Sequence, residues 1–365
     1  MAGRVDGAVQ PDRRDLRAVG ATQGHLHGGP GVIIRATSDL HLSAVTAPYV
    51  WAALAELQED ARLHGGVTVI AGDLFDQATM AHMPTWNKLL RMFKSWRGEI
   101  YLIPGNHDQY GPYNSIIDGM DSITPGLRVA TLPMATPVGT MVPYMSDPDE
   151  FWTAVKENRR SKMLPFVWCH QGFKGAYLNA MRRDTTGLSC SRFDPAYMVV
   201  AGHYHMPQNI GRLVYCGSPY EATFAEENQR KGWLRWANPK ASVVPERIPF
   251  VNTVAPKHHT IHWHPDTGEP AIPPDVDVER SIVRVKTTAP RSMARAAASQ
   301  LRAVGLEGAR LITAPDEAAG RGVVTESMGV HDAVDAYIAG RYSADPTSPA
   351  PETMAEWAEE VDLWG

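Results

Sequence analysis

Five short apolar runs in this chain each lead straight into residues able to ligate a cation. Val67, Thr68, Val69 and Ile70 lead into Gly72, Asp73 and Asp76. Val32, Ile33, Ile34, Arg35 and Ala36 lead into Asp39 and His41. Ile100, Tyr101, Leu102 and Ile103 lead into Gly105, Asn106, His107 and Asp108. Phe166, Val167 and Trp168 lead into His170, and Tyr197, Met198, Val199 and Val200 into Gly202, His203 and His205. Near-continuous apolar runs of this length read as parallel strands buried on both faces. Open α/β sheets bind their ligands beyond the C-terminal ends of such strands. The reading that joins these facts is one sheet presenting oxygen and imidazole donors along one edge, as a site for two metal ions.

The segments between the runs fit that fold. In residues 49–64, Val50, Leu54, Leu57 and Leu63 have helical spacing, with Gly65 just beyond. Residues 80–96 read as a second helix, rich in Met, Trp and Leu. The β-α-β-α-β order predicts a parallel sheet with right-handed crossovers. Residues 112–164 are Pro-rich, with a short helix expected over 148–156, and residues 212–216 form one more strand, closed by Gly217, Ser218 and Pro219. The texture changes over 240–256, which puts a domain boundary near 248. The expected organisation is a flexible extension over 1–31, a large α/β domain over 32–248, a small α/β domain over 249–342, and a linker with a C-terminal helix over 343–365. The small domain is built from strands at 281–286 and 310–313 with a helix at 292–304 between them, followed by a short helix at 331–338.

Composition bounds the function. With 365 residues, 44% apolar and 21% charged, the chain suits two globular domains. A net charge of −5 gives no electrostatic reason to expect nucleic acid, yet bound metals and local basic patches can hold phosphate. Cys169, Cys190 and Cys216 form no CxxC pair, so neither a disulfide frame nor a zinc ribbon is expected, and a reducing cytoplasm is. No apolar run approaches the roughly 18 residues of a membrane span, and the N-terminus lacks a signal-peptide core.

At the site, Asp39 and His41 are two apart and would point the same way in an extended segment. Asp73 is the natural bridge, because one carboxylate has two oxygens for two cations. Asn106 offers an amide oxygen, and His170, His203 and His205 offer imidazoles. Mixed nitrogen and oxygen donors without thiolate suit manganese, iron or zinc. His107, beside a ligand but not needed as one, is placed to protonate a leaving alkoxide. Asp76 or Asp108 would hold its ring in the right tautomer.

In this order, Asp39-x-His41, Gly72-Asp73-x-x-Asp76, Gly105-Asn106-His107-Asp108, His170 and Gly202-His203-x-His205 resemble the calcineurin-like metallophosphoesterase superfamily. The resemblance implies a metallophosphoesterase β-sheet core flanked by helices. It implies one metal held by Asp39, His41, Asp73 and His205 and a second by Asp73, Asn106, His170 and His203. His107 matches the family's proton donor and Asp76 its dyad partner. Gln77-Ala78 stands where the protein-phosphatase branch carries Arg-Gly, which argues against that branch. Gly72-Asp73-Leu74-Phe75-Asp76 with Gly105-Asn106-His107-Asp108 is similar to the SbcD family of DNA double-strand-break nucleases. So is Gly217-Ser218-Pro219 followed by Phe224, Glu226, Lys231 and Gly232. The likeness covers about residues 32–236. Beyond 248 only the strand-helix-strand order resembles the family's capping domain.

That likeness implies a Mn2+-dependent 3′-to-5′ exonuclease and single-strand endonuclease of DNA repair or recombination, with Fe or Zn as other metal choices. It implies a homodimer and a coiled-coil ATPase partner of the SbcC type. The chain is short for the family, nearer to phage-encoded nucleases. Lys174, Arg182 and Arg183, with Arg159, Arg160 and Lys162 nearby, are candidate DNA-phosphate contacts. The rival readings are a phosphodiesterase of nucleotides or other small phosphodiesters, and a DNA-end-binding scaffold; the intact His107 argues against the scaffold.

Other features carry plainer readings. His258, His259, His262 and His264 fit a strand with Ile261 and Trp263 facing in, with a metal site as the alternative. Cys169 reads as a small buried hydrophobe. Met80, Met83, Trp86 and Met92 offer a face for a second subunit. In the tail, Thr353 and Glu356 form a capping-box signature. Met354, Trp357, Ala358, Val361 and Trp364 then line one helical face, which would tether the ATPase partner or fold back onto the chain.

Overall fold

A computed structural model of the chain describes residues 32–179, 182–251, 254–263, 272, 276–290, 301–302 and 310–314. The first unit runs β1 (Ile34–Thr37), α1 (Ala47–His64), β2 (Val67–Ala71), α2 (Met83–Lys94) and β3 (Glu99–Ile103). The hairpin β4 (Gln109–Gly111) and β5 (Asn114–Ser115) follows, then α3 (Met120–Ile123) and β6 (Leu127–Val129). Next come β7 (Met134–Thr136), β8 (Gly139–Val142), α4 (Pro148–Glu157), β9 (Phe166–His170) and β10 (Met198–Gly202). After them lie β11 (Gln208–Ile210), β12 (Leu213–Tyr215), β13 (Gly232–Trp236) and β14 (Glu246–Pro249). The last are β15 (Lys257–Trp263), β16 (Ser281–Pro290) and β17 (Arg310–Ala314).

The apolar runs are strands, but they belong to two sheets rather than one. The first sheet has the order β14-β13-β1-β2-β3-β6, parallel from β1 through β6. The second has the order β11-β12-β10-β9-β8-β7, parallel from β8 through β12. Alternation of side chains explains the arrangement. Ile34, Ala36, Val67, Val69, Tyr101 and Ile103 face inward, against Phe166, Trp168, Met198, Val200, Val214 and Cys216 of the second sheet. On the outer face of the first sheet, Ile70, Ile100 and Leu102 pack under α1 and α2. On the outer face of the second, Val167, Cys169, Val199 and Leu213 pack under α4. The result is helix, sheet, sheet, helix. A strand covered by helices on both sides and one covered by helices and a second sheet have the same continuous apolar sequence, so the run alone cannot tell them apart.

The helices begin and end for local reasons. A proline in the first turn sets the start of α1, and Gly65, at φ 65°, ends it while its N–H donates to Ala61 O. Pro84 likewise opens α2, three residues later than the periodicity predicts. In α4 the Asp147 carboxylate accepts the N–H groups of Asp149 and Glu150. On α2, Trp86 stacks on Phe75 at 5.3 Å, while Met83 and the preceding Met80 are exposed.

The strand β14 runs through Pro249 and pairs with β13. Beyond it β15, β16 and β17 form a parallel three-stranded sheet. Its core holds Ile261, Trp263, Val283, Val285 and Leu301. His258 is buried and His262 exposed, and among the described residues no cluster with metal-ligating geometry includes His258, His259 or His262. Of the helix expected over 292–304, only Leu301 and Arg302 are described, both helical. The extension over 1–31, His264, the helix at 331–338 and the tail over 343–365 lie outside the described residues. No described helix is long and apolar enough to cross a membrane.

Trp168 is the keystone between the sheets. Fully buried, it stacks on Phe166 at 5.3 Å, meets Trp236 edge-on at 5.4 Å, and donates its Nε1–H to Val138 O at 2.8 Å. Trp168→Ala is expected to lower stability by about 3–5 kcal/mol in denaturant unfolding. Exposed Leu178→Ala should change it by less than about 0.5 kcal/mol.

Candidate metal centre

The turns that follow β1, β2 and β10 turn their ligands inward through unusual backbone. Asp39 (φ 54°), His41 (φ 46°), Asp73 (φ 52°) and His203 (φ 98°) all lie in the left-handed region. Such conformations cost about 1–3 kcal/mol each and persist only where the surroundings over-determine them. Here the two turns of the first sheet are laced together. Asp39 N–H donates to Gly72 O at 3.0 Å, His41 N–H to Asp73 O at 3.0 Å, and Leu42 N–H to Leu74 O at 2.9 Å. The extended geometry expected for Asp39 and His41 is therefore not what brings them together; the twisted turn does. Gly72 (φ 93°) also has no room for a side chain, since a Cβ there would lie 2.0 Å from His170 Nδ1.

Seven side chains converge at this point. One ligand atom each from Asp39, His41 and His205 lie within 4.8 Å of one another, as do those of Asp39, Asp73 and His170. Asp73 Oδ2 is 3.2 Å from His170 Nε2 and 3.7 Å from His41 Nε2. It thus faces a ligand of each expected metal position. Asn106 Oδ1 lies 3.2 Å from His170 Nε2 and 3.0 Å from His203 Nδ1. His41 Nε2 and His205 Nε2 are 3.0 Å apart. Two imidazole nitrogens this close must share either a proton or a cation. The donor set of carboxylates, an amide oxygen and imidazoles, without thiolate, fits two divalent ions.

The electrostatics point the same way. Burial, reinforced by His170, pulls His203 down to about 4. Burial also lowers His41, against the upward pull of Asp73. Both rings are therefore neutral near pH 7, with lone pairs free to bind. His170 behaves oppositely: burial pulls it down, but the charge and hydrogen bond of Asp73 outweigh this and raise it to about 9. Burial pushes Asp73 up, and His170 and His41 outweigh it, holding the carboxylate well below its usual range. His170 Nδ1 lies 2.9 Å from Ala71 O and donates to it, which leaves Nε2 as the nitrogen a cation would take.

His107 is exposed beside this cluster, its ring edge-on to His41 at 4.8 Å. The partner of its Nδ1 is the main-chain oxygen of Asp76, at 2.9 Å. Neither carboxylate expected to orient it does so. The Asp76 carboxylate lies 3.7 Å from His41 Nδ1 instead. Buried Asp108 accepts the N–H groups of Gly105 at 2.9 Å, Leu74 at 3.1 Å and Phe75 at 2.8 Å, so its lone pairs are spent on knotting the β2 and β3 turns together. Burial, with the nearby Asp73 charge, raises it to about 7. An open cleft of about 320 Å³ lies at His107, lined by Asp76, Gln77, Ala78, Thr79, Asn106, His107 and Gln109.

The candidate phosphate contacts lie elsewhere. Lys174, Arg182 and Arg183 are exposed on the loop after β9. Arg183 lies over the Tyr177 ring at 4.0 Å and donates to Gly175 O at 2.9 Å. Asp184 fixes this loop by accepting Thr186 N–H, Gly187 N–H and the Tyr204 hydroxyl, which sits between His203 and His205. Arg159 pairs with Asp194. Cys169 is buried, which pushes its thiol up and away from nucleophilic use.

Two supports were not legible as such in the sequence. Ser38 Oγ donates to the Asp39 carboxylate. Glu226 accepts from His205 Nδ1 at 2.9 Å and from Lys231 Nζ at 2.6 Å. Burial pushes Glu226 up, but His205 and Lys231 outweigh it and hold it down at about 2. The only signal for it was its place in the stretch that runs from Gly217-Ser218-Pro219 to Lys231-Gly232.

Two predictions follow from this chemistry. In the metal-free protein His170 keeps its proton up to about pH 9, so a cation must displace it. Mn2+ affinity, measured by calorimetry, should therefore strengthen by about tenfold per pH unit between neutral pH and that value, then level off. Asp73→Asn should lower occupancy at both metal positions, because an amide cannot balance two dications. His203→Ala should chiefly empty one, as anomalous scattering would show.

Residues 34–207 match the family model for calcineurin-like phosphoesterases. No curated protein matches the chain. The matched stretch ends just beyond His205 and so takes in all seven side chains that meet at this point; the family it is similar to comprises metal-dependent phosphoester hydrolases with a dinuclear divalent centre.

Proposed function

We propose that the chain hydrolyses phosphodiester bonds of DNA with two Mn2+ ions, as an SbcD-like nuclease subunit acting in the cytoplasm. The observation that carries this reading is the placement of His107. The metal ligands are buried or half-buried, whereas His107 is exposed at an open cleft, where a phosphodiester on a long polymer can lie across the surface. The likeness of residues 72–76, 105–108 and 217–232 to the SbcD family supports the same substrate.

The chain's own residues divide the work. Asp39, His41, Asp73 and His205 would hold one ion, and Asp73, Asn106, His170 and His203 the other. When bound, such a pair polarises the phosphoryl group and supplies a nucleophilic water at neutral pH. The Asp76 carbonyl takes the Nδ1–H of His107 and so fixes the ring. Nε2 is then the nitrogen that delivers a proton to the leaving alkoxide. Lys174, Arg182 and Arg183 would meet DNA phosphates beyond the cleft. A homodimer and an SbcC-type ATPase partner belong to the same proposal, and the exposed Met80 and Met83 are a candidate dimer face.

One observation favours the second reading, a small phosphodiester. No Lys or Arg lines the cleft, and its one acidic residue is Asp76. Linear DNA and bis-p-nitrophenyl phosphate, each with Mn2+, separate the two. Cleavage of the small ester with DNA left intact would sink the nuclease reading. His107→Ala should slow either reaction by about 10²–10⁴-fold, with metal content near wild type by elemental analysis.

A further inference from the structure

We infer that Glu226 is the positioning residue for the metal ligand His205, held in place by Lys231. The inference rests on the reading of this site as a metal centre. A histidine that ligates through Nε2 must carry its proton on Nδ1, and something must hold it there. His205 Nε2 points toward the cluster, 3.0 Å from His41 Nε2, and its Nδ1 lies 2.9 Å from Glu226 Oε1. An ionised carboxylate accepts and cannot donate, so the proton belongs to Nδ1 and the Nε2 lone pair faces Asp39 and His41.

Glu226 is itself fixed. It is 5% exposed, and its Oε2 accepts from Lys231 Nζ at 2.6 Å and from Ala222 N–H at 3.2 Å. Lys231, 9% exposed, also donates to His205 O at 3.0 Å and to Ser218 Oγ at 2.9 Å. The same ammonium therefore grips both the carboxylate and the backbone of the histidine it orients. The turn carrying Glu226 is anchored from its other side by the three-stranded sheet. Glu221 accepts His258 N–H at 2.7 Å, Glu227 accepts Thr260 N–H at 2.6 Å, and Arg284 lies over Phe224 at 4.6 Å. His170 Nδ1, by contrast, is backed by a main-chain carbonyl, and the Asp76 carboxylate stands 3.7 Å from His41 Nδ1, beyond hydrogen-bond reach.

The competing account is that Glu226 and Lys231 are only a buried ion pair that closes the start of β13. Two variants separate the accounts. Glu226→Leu with Lys231→Met removes both charges together, a replacement that buried pairs often tolerate. Glu226→Gln keeps an oxygen for the His205 Nδ1–H but loses the charge. Stability is read by thermal unfolding, and Mn2+ uptake by calorimetry and electron paramagnetic resonance. Wild type should bind two Mn2+. The double variant, folded, should keep one and bind the other about 10–100-fold more weakly, with Glu226→Gln in between. The Mn2+ concentration for half-maximal hydrolysis of bis-p-nitrophenyl phosphate should rise by the same factor, while kcat at saturating Mn2+ stays within about threefold. A folded double variant with two Mn2+ bound at wild-type affinity overturns the inference. If the double variant does not fold, Glu226→Gln decides alone, and unchanged Mn2+ affinity in it overturns the inference too. Wild type that takes up no Mn2+ would remove the metal reading itself, and this inference with it.

Discussion

The site depends on how closely two sheets meet at the ends of their parallel strands. A Cβ on Gly72 of the first sheet would lie 2.0 Å from His170 Nδ1 of the second, and one on Gly202 would lie 2.2 Å from Ala71 O. Backbone of each sheet thus touches the ligand-bearing end of the other, with nothing between. That contact lets ligands from β1, β2 and β3 share a cluster with ligands from β9 and β10. It also explains why two of the metal-binding motifs carry glycine immediately before the ligand. The large apolar interface around Trp168 holds the sheets together, and the glycines set how near their ends approach.

Such proximity has an electrostatic cost that the ligands themselves offset. Asp39 and Asp73 are buried carboxylates a few ångströms apart, and an uncompensated buried charge is expensive. In the metal-free protein the compensation comes from His170, whose proton Asp73 holds on up to about pH 9. His41 and His203, by contrast, are kept neutral by burial. The cluster therefore carries lone pairs ready for cations and a proton ready to leave. The strained turns at Asp39, His41, Asp73 and His203 persist because the hydrogen-bond lacing between the β1 and β2 turns, the Asp108 knot and the Ser38 hydroxyl leave them no alternative.

Much of this was legible in the sequence because strand-end ligands announce themselves. A buried strand is a local apolar run, and the residue after it is local too, so Asp39, Asp73, Asn106, His170 and His203 could be named without a fold. Helix α1 and its Gly65 stop were local as well, and so was α4. What failed was non-local. Whether β9 and β10 join the first sheet or build a second depends on what covers their other face, which no run records. Nothing in the sequence marks the main-chain oxygen of Asp76 as the partner of His107, because side chains have letters and main-chain carbonyls do not. Asp108 looked available until its three N–H donors, from two separate turns, were seen. Glu226 lies 21 residues from the histidine it meets, and only their shared place in the fold joins them.

The four imidazoles of the cluster are not equivalent. His170 is fully buried and Asp73 nearly so, whereas the side chains of His41 and His205 are 10% and 30% exposed. His203 and Asn106 are half-buried as well, so each expected metal position has members that reach toward solvent. His107 lies beside both positions, its ring centroid 4.8 Å from that of His41 and its neighbour Asn106 lining the same cleft. Burial, against the upward pull of Asp73, lowers His41. The depression of His41 thus frees a lone pair for a cation. His170 and His205 are both shifted up against the pull of burial, His170 by Asp73 and His205 by Glu226. A carboxylate within hydrogen-bond reach, rather than depth of burial, decides which imidazoles are raised: His170 is the most buried of the four and still rises, while half-buried His203 falls.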